Sequence, residues 1–382
     1  MKIINYNKQY LDKDDKKSVL KALNQKFLTG GDNVKKFENK LKNFLKVKHA
    51  LSCSSGTAGL HLAFESLSLK KDDIVIMPII NFVASYSMAN LYKAKIFFAD
   101  VDSSTGQMTP ETLLKCIKTN KLTKIKAVVL MYMGGYPDNV LKFYSLKKKF
   151  NFYIVEDACH AFGASYKFKN KNFKIGSCKH SDLCIFSFHP VKTITTGEGG
   201  LICTNNNKLY LNIKNFRSHN IERQQDYWNY DISKPAFNYR LSDINCALGI
   251  SQLKKINFFL AKRKILFDTY SEFFKNYSSK LNFRKINKYD KPCFHLGILN
   301  INFKKKNKNK LIKYLNKKKI FPQYHYKPLN LFKFLKKKFN MNLNKFSGAK
   351  KYYSSSISLP LYVSLKVKDV IKISKLIVEY LD

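Results

Sequence analysis

A rhythm in the middle of the chain sets the strictest limit on its fold. Between residues 74 and 203, short apolar runs alternate with amphipathic stretches. The runs are Ile74–Met77, Ile96–Ala99, Ala127–Met131, Phe152–Val155, Leu183–Phe186 and Leu201–Cys203. Each is too short for a helix and is apolar on both faces, as a strand is when both of its faces are buried. Helical spacing falls between them, over Phe82–Leu91, Asn139–Lys149 and the stretch opened by Thr109-Pro110-Glu111. Threonine caps a helix start well, and proline fits its first turn. The alternation predicts an α/β fold with a mainly parallel sheet flanked by helices.

The flanks follow other rules. Residues 12–27 have helical spacing, with Leu20, Leu23 and Phe27 on one side, and Gly30-Gly31 stops the chain. Residues 33–46 read as a second amphipathic helix. After about residue 250 comes a long helical stretch, Ile250–Phe274, then Lys-rich runs such as Lys304–Lys310, a strand over 295–303 and a helix in the last dozen residues. The 382 residues exceed one compact core. We read a large domain over 1–250 and a smaller α+β domain over 251–382.

Composition removes several function classes. No run of about 18 apolar residues exists, and the start is polar almost at once, so the expected place is the cytoplasm, without a membrane. The formal charge is +44. The lysines are spread along the whole chain, the only arginines are Arg217, Arg223, Arg240, Arg263 and Arg284, and no nucleic-acid-binding motif appears. The charge reads as a solvated surface and not as a nucleic-acid partner. The eight cysteines are scattered without a CxxC; Cys178, His180 and Cys184 lie close together but match no common zinc spacing. No metal is expected.

Four segments carry chemistry. Ser52–Gly59, rich in small residues, opens a helix, where exposed N–H groups and the helix dipole favour an anion such as phosphate; a plain capped start would look the same. Glu156-Asp157-Ala158-Cys159-His160 sits at the carboxyl end of a strand, where ligands of parallel sheets collect. A carboxylate there can hold a pyridine nitrogen protonated, or it can merely cap the next helix. Lys192 follows an apolar strand in a loop of threonine and glycine, unlike the other lysines; a nucleophilic lysine must be partly desolvated. Read alone, its segment still favours one more surface lysine. Asn238-Tyr239-Arg240 is weak evidence by itself, and Arg217 and Arg240 serve either a ligand or a structural ion pair.

Taken together, SSGTAGLHLA (54–63), INFVAS (80–85), VEDACHAFGA (155–164), FSFHPVKTITTGEGG (186–200), FRSHN (216–220) and FNYRLSDINCALG (237–249) resemble the DegT/DnrJ/EryC1/StrS sugar aminotransferases. These are fold-type-I pyridoxal-phosphate enzymes, aspartate aminotransferase-like. The resemblance runs over essentially the whole chain, and FSFHPVKTITTGEGG is its most specific part.

The resemblance implies that Lys192 forms a Schiff base with pyridoxal 5'-phosphate, that Asp157 partners the pyridine nitrogen and that His160 lies beside the cofactor. Phe82 would cover the ring. Ser55, Gly56, Thr57 and Ser187 would contact the phosphate. Asn238 would reach it from the other subunit of a homodimer with shared active sites. Tyr6, the turn Lys26, Phe27, Leu28 and Thr29, and Gln323, Tyr324, His325 and Tyr326 would contact a sugar nucleotide. Within the family the closer likeness is to members acting in pseudaminic acid synthesis. They aminate C4 of a UDP-linked 4-keto-6-deoxy-N-acetylhexosamine, with glutamate as donor.

The chain departs from the family at Val363, often proline, and at Asn220, usually glycine. Alternatives are a perosamine-type or a 4-amino-arabinose-type sugar-nucleotide aminotransferase, or a regulatory protein that keeps the fold. Some relatives are dehydratases with histidine in place of the lysine; the retained Lys192 argues for transamination.

Overall fold

The computed structural model describes residues 3–226, 228–303, 307–339 and 343–382. Of the Lys304–Lys310 run, residues 304–306 lie outside the described residues.

The chain opens with strand β1 (Ile4–Asn5) and helices α1 (Lys13–Leu23) and α2 (Asp32–Leu45). Asp12 caps α1, its carboxylate accepting from the N–H groups of Asp14 and Asp15 at 3.1 Å. Then come β2 (His49–Cys53), α3 (Gly56–Ser66), β3 (Ile74–Pro78), α4 (Val83–Leu91), β4 (Lys95–Ala99), α5 (Pro110–Thr119), β5 (Ile125–Met131), α6 (Val140–Phe150) and β6 (Tyr153–Asp157). Thr109 caps α5 and Pro110 starts it, as its sequence predicts. A hairpin of β7 (Ser165–Phe168) and β8 (Lys171–Lys174) precedes β9 (Leu183–Ser187), β10 (Gly200–Thr204) and α7 (Asn207–Phe216).

The central sheet has seven strands in the order β2-β10-β9-β6-β5-β3-β4. It is parallel except at β10, which runs antiparallel to both neighbours. Alternate residues of one strand serve opposite faces. Val75 and Met77 of β3, with Ala127, Val129 and Met131 of β5, enter one core. Ile76, Val128 and Leu130 enter another, on the opposite face. Both faces are buried, hence the unbroken apolar runs.

A two-stranded ribbon, β11 (Ile221–Arg223) and β12 (Tyr230–Ile232), then leads to α8 (Asp243–Lys254) and α9 (Ile256–Lys275). The single helix expected over Ile250–Phe274 is two helices. They part at Lys255, whose ammonium bonds Asp12 and Asp15 at 2.7 Å beside the start of α1. Apolar periodicity carries no sign of that break, because the joint is set by a distant ion pair.

The remainder comprises β13 (Leu281–Phe283), β14 (Asp290–Lys291), β15 (Gly297–Ile301), α10 (Lys308–Lys317), β16 (Ile320–Phe321), α11 (Lys333–Phe339), α12 (Ser347–Ser355), β17 (Ser356–Leu359) and α13 (Val367–Leu381). The strand expected over 295–303 is shorter, Gly297–Ile301. An antiparallel sheet β13-β15-β17 shares a core with Phe267, Tyr270 and Phe274 of α9, Leu311 and Leu315 of α10, and Ile373 and Ile377 of α13. The chain start is stitched to this part. β1 pairs with β16, and the Leu361 N–H donates to the Tyr6 carbonyl at 3.0 Å. No helix of the described residues is long and apolar enough to cross a membrane.

Candidate active site

The carboxyl ends of β3, β6 and β9 and the start of α3 meet at one edge of the sheet, the edge where parallel sheets collect ligands. A cavity of about 320 Å³ opens there. Its wall includes Ser55, Gly56, Thr57, Phe82, Asp157, His160, Ser187 and Lys192, and Tyr6, His325 and Tyr326 close it from the C-terminal side.

The α3 start is built for close approach. Ser55 caps it, its hydroxyl accepting from the Ala58 N–H at 3.0 Å. The first N–H groups of a helix have no partner within it. Gly56 has no room for a side chain, because a Cβ would lie 3.0 Å from the Cys159 Sγ and 3.1 Å from the Ser187 Cβ. Gly200 likewise lies against the Ser55 carbonyl, which would sit 2.4 Å from a Cβ. The result is a narrow cradle of backbone N–H groups beside the Ser187 hydroxyl.

Lys192 sits in a loop tied down at many points. The Phe188 N–H donates to Gly199 and the Thr196 N–H donates back to Phe188, at 2.8 and 3.0 Å. The Thr195 hydroxyl donates to the Phe188 carbonyl at 3.0 Å, and the Asn245 amide donates to the Thr196 carbonyl at 2.5 Å. Burial disfavours the ammonium form and lowers the Lys192 pKa, while nearby Cys159 and Asp157 act the other way.

Asp157 is buried, and each carboxylate oxygen has a donor. The Ser85 hydroxyl donates to Oδ2 at 3.0 Å, and the Cys159 N–H donates to Oδ1 at 3.3 Å. The neighbouring Glu156 instead accepts from the Tyr132 hydroxyl at 2.7 Å, and burial raises its pKa. Only one of the two acids therefore faces the cavity.

His160 accepts at Nδ1 from the Gly134 N–H at 3.4 Å, and its Nε2 lies 2.9 Å from the Tyr326 hydroxyl. Its ring lies 4.4 Å from that of His295. Burial holds His160 and His295 well below the usual histidine pKa, and moves His325 to about 3. All three are neutral near pH 7.

Other expected residues lie elsewhere in the single chain. Lys26–Thr29 form an exposed turn that is pinned to the start of α8, with the Asp243 N–H donating to the Leu28 carbonyl at 2.9 Å. Asn238 is exposed, and its side chain accepts from the Arg240 N–H at 3.3 Å. Gln323 bridges to Ser358 and lines a separate groove that meets Tyr6; Tyr324 stands edge-on to Tyr353. Arg217 takes the structural role, paired with Glu38 at 2.5 Å and donating to the Ser52 carbonyl at 2.8 Å. Asn220 has φ 53°, the left-handed region that glycine and asparagine enter most readily.

Several wall residues carry no sequence signal of their own. His189, Glu198 and His295 line the cavity, and Ser85 supports it from behind. Ser85 falls within INFVAS, so the motif contained it without revealing its partner.

The DegT/DnrJ/EryC1/StrS aminotransferase family profile matches residues 9–378. The chain belongs to that family. A curated Campylobacter jejuni member, UDP-4-amino-4,6-dideoxy-N-acetyl-beta-L-altrosamine transaminase, is 37% identical over 96% of this chain and 94% of its own length. The Helicobacter pylori protein of the same name is 34% identical over 97% and 96%. The solved structure of Helicobacter pylori PseC, described as an aminotransferase involved in the biosynthesis of pseudoaminic acid, superposes with a TM-score of 0.90 at 31% identity. That match covers 100% of this chain and 99% of the other.

The cofactor of this aminotransferase is pyridoxal phosphate, and the residues fit it. The capped α3 start, packed closely at Gly56 against Cys159 and Ser187, opens onto the cavity and suits a phosphate. Lys192 and Asp157 share the cavity, and Phe82 stands at its edge with its ring 5.7 Å from that of Tyr326.

Proposed function

We propose that this aminotransferase delivers an amino group to C4 of a UDP-linked 4-keto-6-deoxy-N-acetylhexosamine, in pseudaminic acid synthesis, with glutamate as donor. The observation that carries the reading is the convergence of Lys192, Asp157 and the Gly56–Thr57 cradle on one cavity. The names of the Campylobacter and Helicobacter relatives support the sugar. We place the enzyme in the cytoplasm, where nucleotide-activated sugars and glutamate are both at hand.

Pyridoxal phosphate, when bound, supplies a carbonyl that condenses with primary amines and a ring that accepts an electron pair from the adjoining carbon. Gly56, Thr57 and Ser187 would hold its phosphate, so that it stays in place while Lys192 is displaced in each cycle. Asp157 would hold the ring nitrogen protonated. Lys192 Nζ takes a proton from the substrate carbon and returns one, and its lowered pKa leaves more of the amine free to do so. Neutral His160 and Tyr326 add hydrogen-bonding groups, rather than charge, to the cavity lining. Glutamate leaves as 2-oxoglutarate in the first half, and the keto sugar leaves as the amino sugar in the second.

The assembly is a homodimer in this reading. Phe27, Leu28, Tyr230 and Phe237 expose 57, 45, 61 and 49% of their surface in the single chain. Phe27 and Leu28 belong to Lys26–Thr29, and Tyr230 and Phe237 precede Asn238; the family resemblance assigns both segments to ligands, but they stand outside the cavity.

The test is product analysis by NMR after incubation with glutamate and the UDP-linked 4-keto sugar. A 4-amino sugar and an equal amount of 2-oxoglutarate are expected. Amination of only a GDP-linked 4-keto sugar would overturn the substrate and leave the family standing. Light scattering that gives the mass of one chain would overturn the dimer.

A further inference from the structure

Asp157 must present a carboxylate in one orientation, and its strand alone does not fix that orientation. At the end of β6 its χ angles are free to turn. Two donors hold it. The Cys159 N–H at 3.3 Å is a long backbone contact two residues away. The Ser85 hydroxyl, at 3.0 Å, reaches Oδ2 from a different element, α4. Ser85 is fully buried and Asp157 is 3% exposed, so the bond lies on the shielded side of the carboxylate. Hydrogen bonds to an ionised, buried group are the strong ones.

Ser85 lies three residues after Phe82, the residue that precedes the first turn of α4. Phe82 is extended and caps the helix, and Ser85 lies in its first turn. The same turn thus supplies the aromatic at the cavity edge and the donor to the acid at its base. Rotation or displacement of α4 would move both together.

We propose that Ser85 is a positioning residue for the cofactor. Its hydroxyl holds one Asp157 carboxylate oxygen so that the carboxylate stays aimed at the pyridine nitrogen, which the acid would keep protonated. The proposal rests on the pyridoxal-phosphate reading of the cavity. It assigns to the hydroxyl an effect on the cofactor's protonation, beyond packing.

The experiment uses full-length protein stripped of cofactor, pyridoxal phosphate labelled with nitrogen-15, and the variants Ser85→Ala and Ser85→Thr. Titration gives Kd, and the nitrogen-15 shift reports protonation of the ring. Loss of one charge-assisted hydrogen bond is expected to weaken Kd roughly tenfold in Ser85→Ala. The labelled nitrogen of that variant should lose its proton at a lower pH than in the parent. Ser85→Thr, which keeps the hydroxyl, should restore both to within about threefold.

Parent-like Kd and nitrogen-15 shift in Ser85→Ala would overturn the proposal, even with a lower melting temperature, because a structural serine predicts that pattern. Should Ser85→Ala not fold, Ser85→Cys takes its place. A thiol is the weaker donor, so a parent-like nitrogen-15 titration there is equally fatal. Absence of pyridoxal phosphate binding by the parent protein would instead strike at the cavity reading itself.

Discussion

The floor of the cavity and the exposed rim of the chain, whose expected site residues stand outside the cavity, are built in opposite ways. On the floor, Asp157, Thr195 and Thr196 are buried, and the Lys192 loop is closed by hydrogen bonds to Gly199 and from Asn245. On the rim, Phe27, Leu28 and Asn238 are exposed, and the ties described for them are local or run through backbone. In the dimer proposed above, the floor is complete within one chain and the rim would be covered by the second. Chemistry common to many aminotransferases would then reside in the rigid part, while substrate choice and assembly would fall to the exposed part. Such a division lets the sugar change without rebuilding the reaction centre.

The largest expected effect is on the floor. Lys192→Ala should lower kcat by at least about a thousandfold, because one residue serves as both covalent anchor and proton carrier. Borohydride treatment followed by peptide mass spectrometry should find no cofactor fixed at position 192. Residual kcat above a tenth of the parent value would break the assignment. Asp157→Asn should cost about a hundredfold or more in kcat, with a far smaller change in KM for the sugar, since the acid would meet the cofactor ring rather than the sugar.

Gly56→Ala tests the cradle without touching a reacting group. Its Cβ would press on the Cys159 Sγ and the Ser187 Cβ. Cofactor Kd is expected to rise about tenfold, and the stability of the cofactor-free protein to change by only about 1–3 kcal/mol, as for overpacking. An unchanged Kd would place the phosphate elsewhere.

Asn238→Ala sharpens the contrast at the rim. Kd for pyridoxal phosphate should rise severalfold, and mixing this variant with Lys192→Ala should restore part of the lost activity through hybrid dimers. Unshared sites would give no recovery.

The mildest effect concerns acid. The folded-state pKa of His325 is about 3, against 6.5 for a free histidine. Between those values the unfolded chain binds more protons than the folded one, so stability falls as pH drops. The slope should be about 1.4 kcal/mol per pH unit for such a group. Melting of cofactor-free protein at pH 7 and pH 5 measures it, and His325→Gln should remove that histidine's share of the difference while the shares of buried His160 and His295 remain.

How much of this was legible in the sequence follows the same division. Six of the seven strands of the central sheet were legible as short apolar runs between helical stretches, whereas β2, with His49 and Ser52 breaking its apolar pattern, was not read as a strand. Helix α5 announced itself through Thr109 and Pro110. Lys192, Asp157 and the Gly56 turn became readable together, as motifs of fixed order, although the Lys192 segment alone favoured a bland surface lysine. The β10 reversal went unseen, because a buried strand has the same apolar pattern in either direction. The Lys255 break was hidden because its cause, Asp12 and Asp15, lies far away in the chain. His295 and Ser85 were missed for the same reason. Their roles exist only in contacts, such as the one from Ser85 to Asp157, that no local spacing encodes.

The reversed strand has a consequence for how the chain assembles. Because β10 returns beside β9, the loop bearing Lys192 spans a hairpin with partners close in sequence. The parallel neighbours β5, β6 and β9 must wait for long crossovers to close, and such contacts form slowly. The lysine loop is therefore expected to acquire its backbone bonds among the earlier events of folding. Asp157 would meet its hydroxyl donor on α4 only later, when distant segments dock, so that the nucleophile is in place before the acid that makes it useful.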